Sequence, residues 1–539
     1  MLPAPTMYRN VRQQLIAAAR TPLGVLAAAS VVALFMTALR VDHWRGLVGR
    51  MLWAEDGHVF ILGAMQHGPA AVLTPYAGYL HLYPRIAAWL ATSLDIQLLA
   101  PLLGAAWLIA YCLTAYVCVQ RLRGVGANLP TALLFLVPLG LLPTTPETLF
   151  TITNAQWYLA IGLAACALLP PREGPDRWPY LAFAALTALT GPFCIIVLPA
   201  AVLQVLLLRN FRERQWMLVV LLVGSLIQLS FFVDSDRLAA AANRDPAAWL
   251  QGLVSFFTFG SHRRLMLLGA LLFWGAAVVA TVRLVVLQGL KSRQLLVAVT
   301  LFAAAGLFAV AGFYAMRDQP QVASPMGWGA RYFVIPYAVA LLATLVACLG
   351  TRVLLATALG AFMLVGVLGY QRLNRSDLHY TRFIEFAEAR GEVFVPINPQ
   401  FETFRGGFQL DLPAAPGGVE RRRVDPRTTT VQSCDADGKW RHAVPAAAIG
   451  CPAGPRTLGI DMRMDLPTAS TAGARWASSE ASGEPPLSMA YPAGASLAQF
   501  ALSAPASASD DLLISVPADA GQETIKSLEF FCITGGSAH

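Results

Sequence analysis

Eleven apolar stretches, most of them close to the length that crosses a bilayer, follow one another through the first two-thirds of this chain. They lie at 21–40, 97–119, 129–144, 156–170, 179–190, 193–208, 215–233, 264–285, 295–314, 331–349 and 353–370. A helical span needs about 20 such residues. Three of the stretches are short, and the pair around Gly191-Pro192 could be one broken span. Composition agrees with a membrane class: 13% of residues are charged and 56% apolar, against about 25% and 45–50% in soluble domains.

Charge is unevenly placed. Up to Arg372 there are 25 Lys+Arg and 12 Asp+Glu, a balance of +13; from Asn374 onward there are 14 and 19, a balance of −5. The basic character therefore comes from loops between apolar runs and does not point to nucleic acid. Alternate loops carry Arg9, Arg12 and Arg20; Arg121 and Arg123; Arg172 and Arg177; Arg209, Arg212 and Arg214; Arg283, Lys291 and Arg293; and Arg352. This alternation is the positive-inside pattern and predicts a cytoplasmic N-terminus. An odd number of spans then puts 374–539 outside the cytoplasm. The first apolar run lacks a small-residue cleavage site and reads as a retained signal anchor. Cys112, Cys118, Cys166, Cys194 and Cys348 fall in spans as small apolar residues. Cys434, Cys451 and Cys532 lie in the exported part, where disulfides persist. Cys434 with Cys451 would close a short loop, but three cysteines allow three pairings and the sequence does not choose.

From about 391 the periodicity shifts to short alternating segments: Glu392–Ile397, Thr428–Cys434, Thr457–Met464, Ser496–Ser503, Asp511–Val516 and Thr524–Ile533. Bounded by Pro, Gly, Asp and Ser, they predict a β-sandwich of jelly-roll type. The expected organisation is a transmembrane part at 1–372, a helical linker at 373–390 and a β domain at 391–539. Thr468 to Pro486, rich in Ala, Ser, Thr and Gly, reads as a long loop or flexible insert. The β domain reads either as a docking module or as a carbohydrate-contacting one using Trp440 or Trp476. It contains no metal-ligand spacing and no nucleotide loop.

The most informative stretch follows the first apolar run: Trp53-Ala54-Glu55-Asp56-Gly57-His58, then Pro75-Tyr76-Ala77-Gly78-Tyr79-Leu80-His81-Leu82-Tyr83-Pro84-Arg85. Adjacent carboxylates at a membrane surface are costly where water is scarce. They are also what a reaction needs if it must take a proton from a hydroxyl. Residues 57–72 and 79–94 read as short interfacial helices. Glu55, Asp56, Tyr79, His81 and Arg85 are expected around one outward-facing cavity. The plainer alternative is an interfacial loop in which Asp56 caps the helix starting near Gly57.

An acidic pair in a long first outer loop, interfacial helices, ten or more further spans and an outer C-terminal domain resemble the GT-C superfamily of membrane glycosyltransferases. The resemblance rests on Glu55, Asp56 and the organisation of residues 1–372. It implies a polyprenyl-phosphate-linked sugar as donor and a glycan or glycolipid acceptor. It also implies an Asp or Glu of the first outer loop as the base. Some related families bind a divalent metal near the acidic loop; with two carboxylates and His58 close by, that is left open here.

The other outer loops fit this expectation. A phosphate leaving group calls for cations, and the arginine fork suits it. Arg85, Arg237, Arg244, His262-Arg263-Arg264, Arg317 and Arg331 sit in outer loops. Arg331 is the strongest candidate, because its Gly327-Trp328-Gly329-Ala330 lead-in allows close backbone approach. The alternative role for each arginine is anchoring a helix end among anionic headgroups. A third loop reads Thr144-Thr145-Pro146-Glu147, then Thr153-Asn154-Ala155-Gln156-Trp157-Tyr158. Asn154 and Gln156 suit sugar hydroxyls, while Trp157 and Tyr158 would equally belong to an aromatic belt. Gly191-Pro192 marks a broken or re-entrant helix.

The expected activity is therefore sugar transfer on the outer side of a bacterial-type inner membrane, with inversion. Asp56 is the base with Glu55 in support, Arg331 and Arg263 or Arg264 stabilise the leaving phosphate, and His81, Tyr79 and Arg85 orient substrate. The rivals are a polymerase or ligase using a polyprenyl-diphosphate donor, a lipid-linked glycan flippase or transporter, and a membrane-anchored scaffold. A transporter predicts charges within spans and internal repetition, and the sequence shows few of the former and no clear repeat.

Overall fold

The computed structural model describes residues 21–41, 52–172, 177–233, 245–320, 323–327, 329–373, 378–398, 407–412, 419–426, 429–432, 439–451, 457–466, 470–481, 487–491, 494–505, 507, 509–517 and 524–533. Arg9, Arg12, Arg20, Arg237, Arg244, Trp328 and Cys434 lie outside the described residues. The chain divides into two compact units, one of 1–44, 72–87 and 104–374 and the other of 45–71, 88–103 and 375–539.

Every one of the eleven apolar stretches falls on helix. The helices are α1 (Pro22–Leu39), α2 (Leu62–His67), α3 (Leu82–Leu94), α4 (Leu99–Gly124), α5 (Leu129–Leu134), α6 (Leu136–Gly140), α7 (Ala155–Leu168), α8 (Trp178–Ala188), α9 (Phe193–Leu208) and α10 (Phe211–Val233). They continue with α11 (Pro246–Phe257), α12 (Arg264–Gln288), α13 (Arg293–Ala315), α14 (Arg331–Cys348) and α15 (Arg352–Leu368). Among the described residues, six helical segments are long and apolar enough to cross a membrane: Pro22–Leu39, Ile96–Gly124, Phe211–Val233, Arg264–Gln288, Arg293–Ala315 and Arg331–Cys348. The others are shorter, and the break at 189–192 separates α8 from α9 as Gly191-Pro192 implies.

In the first unit, α7 and α14 form the centre. Every residue of α7 is buried, as is Phe333 through Cys348 of α14. α14 packs on α7, α12, α13 and α15, and α7 on α8, α9, α13 and α14. Helices with no polar face leave only their ends to satisfy. Two arginines that count as cytoplasmic-loop charges are in fact buried. Arg214 donates to the carbonyls of Cys166 at 2.7 Å, Ala167, and Leu169 at 3.5 Å, capping the C-terminus of α7. Arg121 lies 4.4 Å from the Tyr180 ring.

The second unit holds the β-rich C-terminal part. Helix α16 (Tyr380–Arg390) leads into β1 (Glu392–Pro396), β2 (Gly407–Asp411), β3 (Val419–Val424), β4 (Thr430–Gln432) and β5 (Lys439–Pro445), then α17 (Ala446–Ile449). Strands β6 (Thr457–Leu466) and β7 (Ser470–Trp476), helix α18 (Ala477–Ala481), and strands β8 (Leu487–Tyr491), β9 (Gly494–Ser503), β10 (Asp511–Pro517) and β11 (Ile525–Ile533) complete it. They form antiparallel sheets in the orders β1-β2, β4-β5-β10-β7-β8 and β3-β11-β6-β9. Period-two alternation sets the register: Ile460 of β6 faces Phe530 on β11 and Phe500 on β9, all buried. On the opposite face α16 covers the sheet. A Cβ at Gly459 would lie 2.5 Å from the Phe386 ring, and Arg390 pairs with Asp461 at 2.7 Å.

Two expectations are corrected here. The stretch from Thr468 to Pro486 is not one long loop, since β7 and α18 occupy much of it. Alanine and glycine on the buried face of β7 hide the strand pattern, because a small residue fills a site beside the large Trp476 and leaves no hydrophobic alternation to read. Trp476 offers no ring face for a sugar: it is 3% exposed and its indole N–H donates to the Ser503 carbonyl at 2.9 Å. Of the open pairings, the disulfide formed is Cys451–Cys532, with Cα atoms 5.5 Å apart across a sequence separation of 81.

That separation gives a loop-closure contribution of about 4–5 kcal/mol, so Cys532→Ser should lower the denaturant midpoint of the β-rich part well below its wild-type value. Equal midpoints by tryptophan fluorescence would contradict this. His442 is 1% exposed, its Nε2 has no hydrogen-bond partner, and burial lowers its pKa below the ordinary 6.5. The folded state therefore binds fewer protons than the unfolded one, and stability falls as pH drops below about 6.5. Melting between pH 7.5 and 5 should show this fall, and His442→Gln should reduce it.

Candidate functional site

The first unit brings several candidate residues together where its two central helices begin. The N–H groups of a helix's first turn lack intrahelical acceptors and favour negative charge. Glu147, on a short 3-10 turn at Pro146–Thr148, supplies such an acceptor: its Oε1 takes the backbone N–H of Arg331 at 2.8 Å. The turn is held by Thr145 N–H donating to the Pro325 carbonyl at 3.1 Å, and by Asn154 Nδ2 donating to the Glu147 carbonyl at 3.2 Å. Trp157 Nε1 donates to Asn154 Oδ1 at 3.0 Å. The Trp157 ring meets Tyr332 edge-on at 5.4 Å and Phe193 at 5.3 Å. The Arg331 guanidinium lies 5.4 Å from the Tyr332 ring. Gly329 before it has φ +78°, and a Cβ there would lie 2.3 Å from the Met316 sulfur, so the close approach does require glycine.

The amides divide. Asn154 is buried and occupied in holding Glu147 and Trp157, which makes it a positioning residue. Gln156 is 3% exposed, and its Oε1 has no hydrogen-bond partner. That oxygen would lie 2.9 Å from a Cβ at Gly191, whose φ is +101°. Tyr158 is buried, its hydroxyl 3.0 Å from that of Thr148.

Tyr79, His81 and Arg85 form a second group in the same unit. A tight turn pairs Tyr76 with Tyr79 through Ala77 and Gly78, both with positive φ. The His81 ring stacks on Tyr79 at 4.4 Å, with Nδ1 3.2 Å from the Tyr79 carbonyl oxygen. A carbonyl only accepts, so Nδ1 carries the proton and Nε2 is the basic nitrogen. His81 bridges Thr190, and Leu80 takes the N–H of Gly191 at 2.9 Å. Gln228 closes the knot from α10, accepting from Leu80 N–H at 2.8 Å and donating to the Leu80 and Ala188 carbonyls. Arg85 is buried, which lowers its pKa, with Tyr76 nearby acting in the opposite sense.

His262, Arg263 and Arg264 are exposed at the start of α12. Arg263 takes a backbone bond from its own N–H to Ser261 Oγ at 3.1 Å and reaches the Leu368 carbonyl at 3.5 Å. These contacts do not join the Glu147 group. Arg317 is buried over the Tyr314 ring at 4.4 Å.

The acidic pair belongs to the second unit. Leu52, Trp53 and Ala54 are clipped to Asn398 just beyond β1: Ala54 N–H donates to the Asn398 carbonyl at 2.8 Å, and Asn398 N–H to that of Leu52 at 2.9 Å. A π-helix, Asp56–Ile61, opens on Asp56; such turns occur frequently at functional sites. Asp56 is 3% exposed, Glu55 half-buried and His58 exposed. Glu55 is the residue preceding the helix and makes no side-chain cap bond, and Asp56 already lies in its first turn. Asp56 and His58 lie within this π-helix and Glu55 immediately precedes it. Among the described residues no three His, Cys, Asp or Glu side chains gather.

Glu147, Thr190 and Gln228 are the site residues that the pattern of the chain did not single out. Glu147 was visible as the lone acid of its loop; Thr190 and Gln228 gave no signal, because their partners are backbone groups distant in sequence. No protein-family model matches this sequence, and no curated protein is significantly similar to it.

A Cβ at Gly57 would lie 2.6 Å from the Phe408 ring. Gly57→Ala should therefore cost about 1–3 kcal/mol and displace the Asp56 segment without altering either carboxylate. Faster proteolysis between residues 52 and 71 is the expected readout; an unchanged digestion rate would contradict it.

Proposed function

We propose that this protein is an inverting glycosyltransferase of the GT-C type, with about eleven helical spans and a β-sandwich C-terminal domain. In this reading it sits in a bacterial-type inner membrane with its N-terminus cytoplasmic and its β domain outside. The observation that carries the reading is the carboxylate pair after the first apolar helix. One member, Asp56, is buried at the opening of a π-helix, just after Leu52 and Ala54, whose backbone is bonded to Asn398 beyond β1. A buried carboxylate at a rigid position is what general-base chemistry on a hydroxyl requires.

The proposed reaction is a single displacement. The acceptor hydroxyl passes its proton to Asp56 as its oxygen bonds to the anomeric carbon of a polyprenyl-phosphate sugar. The anomeric C–O bond to phosphate breaks with its electron pair, releasing polyprenyl phosphate with inversion. The leaving phosphate is assigned to Arg331, since the planar arginine fork favours an oxyanion. Gln156 and His81 Nε2 supply hydrogen bonds to sugar hydroxyls, with Trp157, Tyr79 and Arg85 shaping their surroundings. Arg263, Arg264 and His262, exposed at the start of α12, are given the role of holding the polyprenyl-phosphate headgroup as it arrives.

Transfer from a panel of synthetic polyprenyl-phosphate sugars to envelope glycan tests this directly. Asp56→Asn should lower the rate by about 10²–10⁴-fold, the range for losing a general base, with Glu55→Gln affected less. Intact transfer in folded Asp56→Asn protein would refute the mechanism. Failure of every donor, together with movement of a lipid-linked glycan, would favour the flippase reading.

A further inference from the structure

Where α16 ends, the sheet face it covers opens into a cleft of about 290 Å³. Phe386 of α16 closes one side of it against Phe531, with ring centroids 5.1 Å apart. Arg390, the last residue of α16, is neutralised by Asp461 at 2.7 Å. Beyond that pair the strand register decides what lines the cleft, because every second residue of a strand shares a face. Arg423 of β3, Glu529 of β11 and Asp461 of β6 stand in one cross-strand row. Arg421 and Phe531 share the row on one side, and Ser527 and Arg463 the row on the other. The Arg421 guanidinium lies 5.3 Å from the Phe531 ring centroid. Among the described residues, Arg421, Arg423 and Arg463 form no ion pair, and neither does Glu529. With the Arg390–Asp461 pair set aside, three arginines face two carboxylates, Glu392 and Glu529.

We infer that this cleft binds a single acidic sugar unit, its carboxylate or phosphate held by Arg423 and Arg463 and one of its hydroxyls by Glu529. The planar arginine fork donates two hydrogen bonds at once to an oxyanion. An ionised Glu529 can only accept, so its partner must be a donor. Three guanidinium groups in the same cleft disfavour a ligand ammonium, and a hydroxyl is the donor that remains. Opposed charges at a sheet surface attract one another only weakly. A ligand that gives Arg423 an oxyanion and Glu529 a hydroxyl replaces that attraction with direct hydrogen bonds. The volume sits at the lower edge of small-molecule sites, about 300–1,000 Å³, which suits one sugar unit rather than a long chain. The inference is independent of the catalytic reading, so Asp56→Asn protein should bind as wild type does.

The test is calorimetric titration of the full-length protein in detergent with glucuronate, glucose 6-phosphate, glucose, acetate and inorganic phosphate. Glucuronate or glucose 6-phosphate should bind at least about tenfold more tightly than glucose and than its matching bare anion, the scale of one hydrogen bond to a charged group. Arg423→Gln and Arg463→Gln should each weaken that binding by a similar factor. Arg422→Gln should leave it unchanged, because Arg422 points to the other face of β3 and pairs with Glu420. Glu529→Ala should shrink the preference for the acidic sugar over its bare anion, a ratio that misfolding cannot mimic. An equal loss with Arg422→Gln would reduce the binding to a general effect of net charge and overturn the site. Glucose binding as tightly as the acidic sugars would overturn the role of the arginines. Bare anions binding as tightly would overturn the saccharide component, and no binding of either acidic sugar would overturn the inference altogether.

Discussion

Two helices without a polar side fill the centre of the helical unit, and their backbone ends must be satisfied where water is scarce. An unpaired amide or carbonyl there costs several kcal/mol, so the bundle is arranged around their caps. The C-terminal carbonyls of α7 are taken by Arg214 from α10 and by Gln204 from α9, whose Nε2 reaches Leu168 at 2.7 Å and Thr300 Oγ1 at 2.8 Å. The C-terminus of α14 is closed by Gln294 Nε2, which donates to Val346 at 2.7 Å and Leu349 at 3.2 Å. At the other ends, Glu147 meets α14 and the Thr151–Asn154 turn leads into α7. Arg40, at the end of α1, extends the same principle by donating to the Leu142 and Thr144 carbonyls ahead of the Glu147 turn.

This capping scheme separates structural polarity from available polarity. Residues that close a cap have their hydrogen bonds committed, which is the case for Asn154, Arg214, Gln204 and Gln228. Gln156 differs: it sits at the same buried level with a carbonyl oxygen that closes nothing. A buried acceptor left without a donor is destabilising on its own, and its retention beside Gly191 and Trp157 is the kind of cost that a ligand hydroxyl would offset.

Much of the helical part was legible because its signal is long and redundant. Each apolar stretch is helix, and the five cysteines of the helical part are free, four of them buried. Six strands of the C-terminal part were legible as short apolar segments bounded by turn residues, β6 most clearly through Leu458, Ile460, Met462 and Met464. Two of the unread strands lack that contrast: β3 runs Val419-Glu420-Arg421-Arg422-Arg423-Val424 at a sheet edge, where charged side chains guard against edge pairing, and β7 packs through Ala472 and Ala474. Among the candidate residues, the tight approach before Arg331 was legible from its glycines, and the acidic pair was visible from its composition. The division of labour among the arginines was not. Arg214 and Arg121 read as loop charges because a sequence shows how many cations border a span, not which of them turns inward to cap a neighbour.

The least legible relation concerns the acidic pair and the β-rich part. Residues 52–56 and Asn398 are more than 300 positions apart, and two backbone hydrogen bonds, blind to side-chain identity, join them. Ile397 and Phe408 then close on Gly57, which has no side chain to keep them away. The π-helix opening on Asp56 therefore has its position set by β1 and β2 rather than by the apolar run that precedes it in sequence. If Asp56 is the base, the β-rich part is not an appendage carried by the enzyme. It is the element that fixes the direction of the carboxylate, and damage to β1 or β2 acts on the chemistry through Gly57 even where every polar side chain proposed to touch substrate is intact.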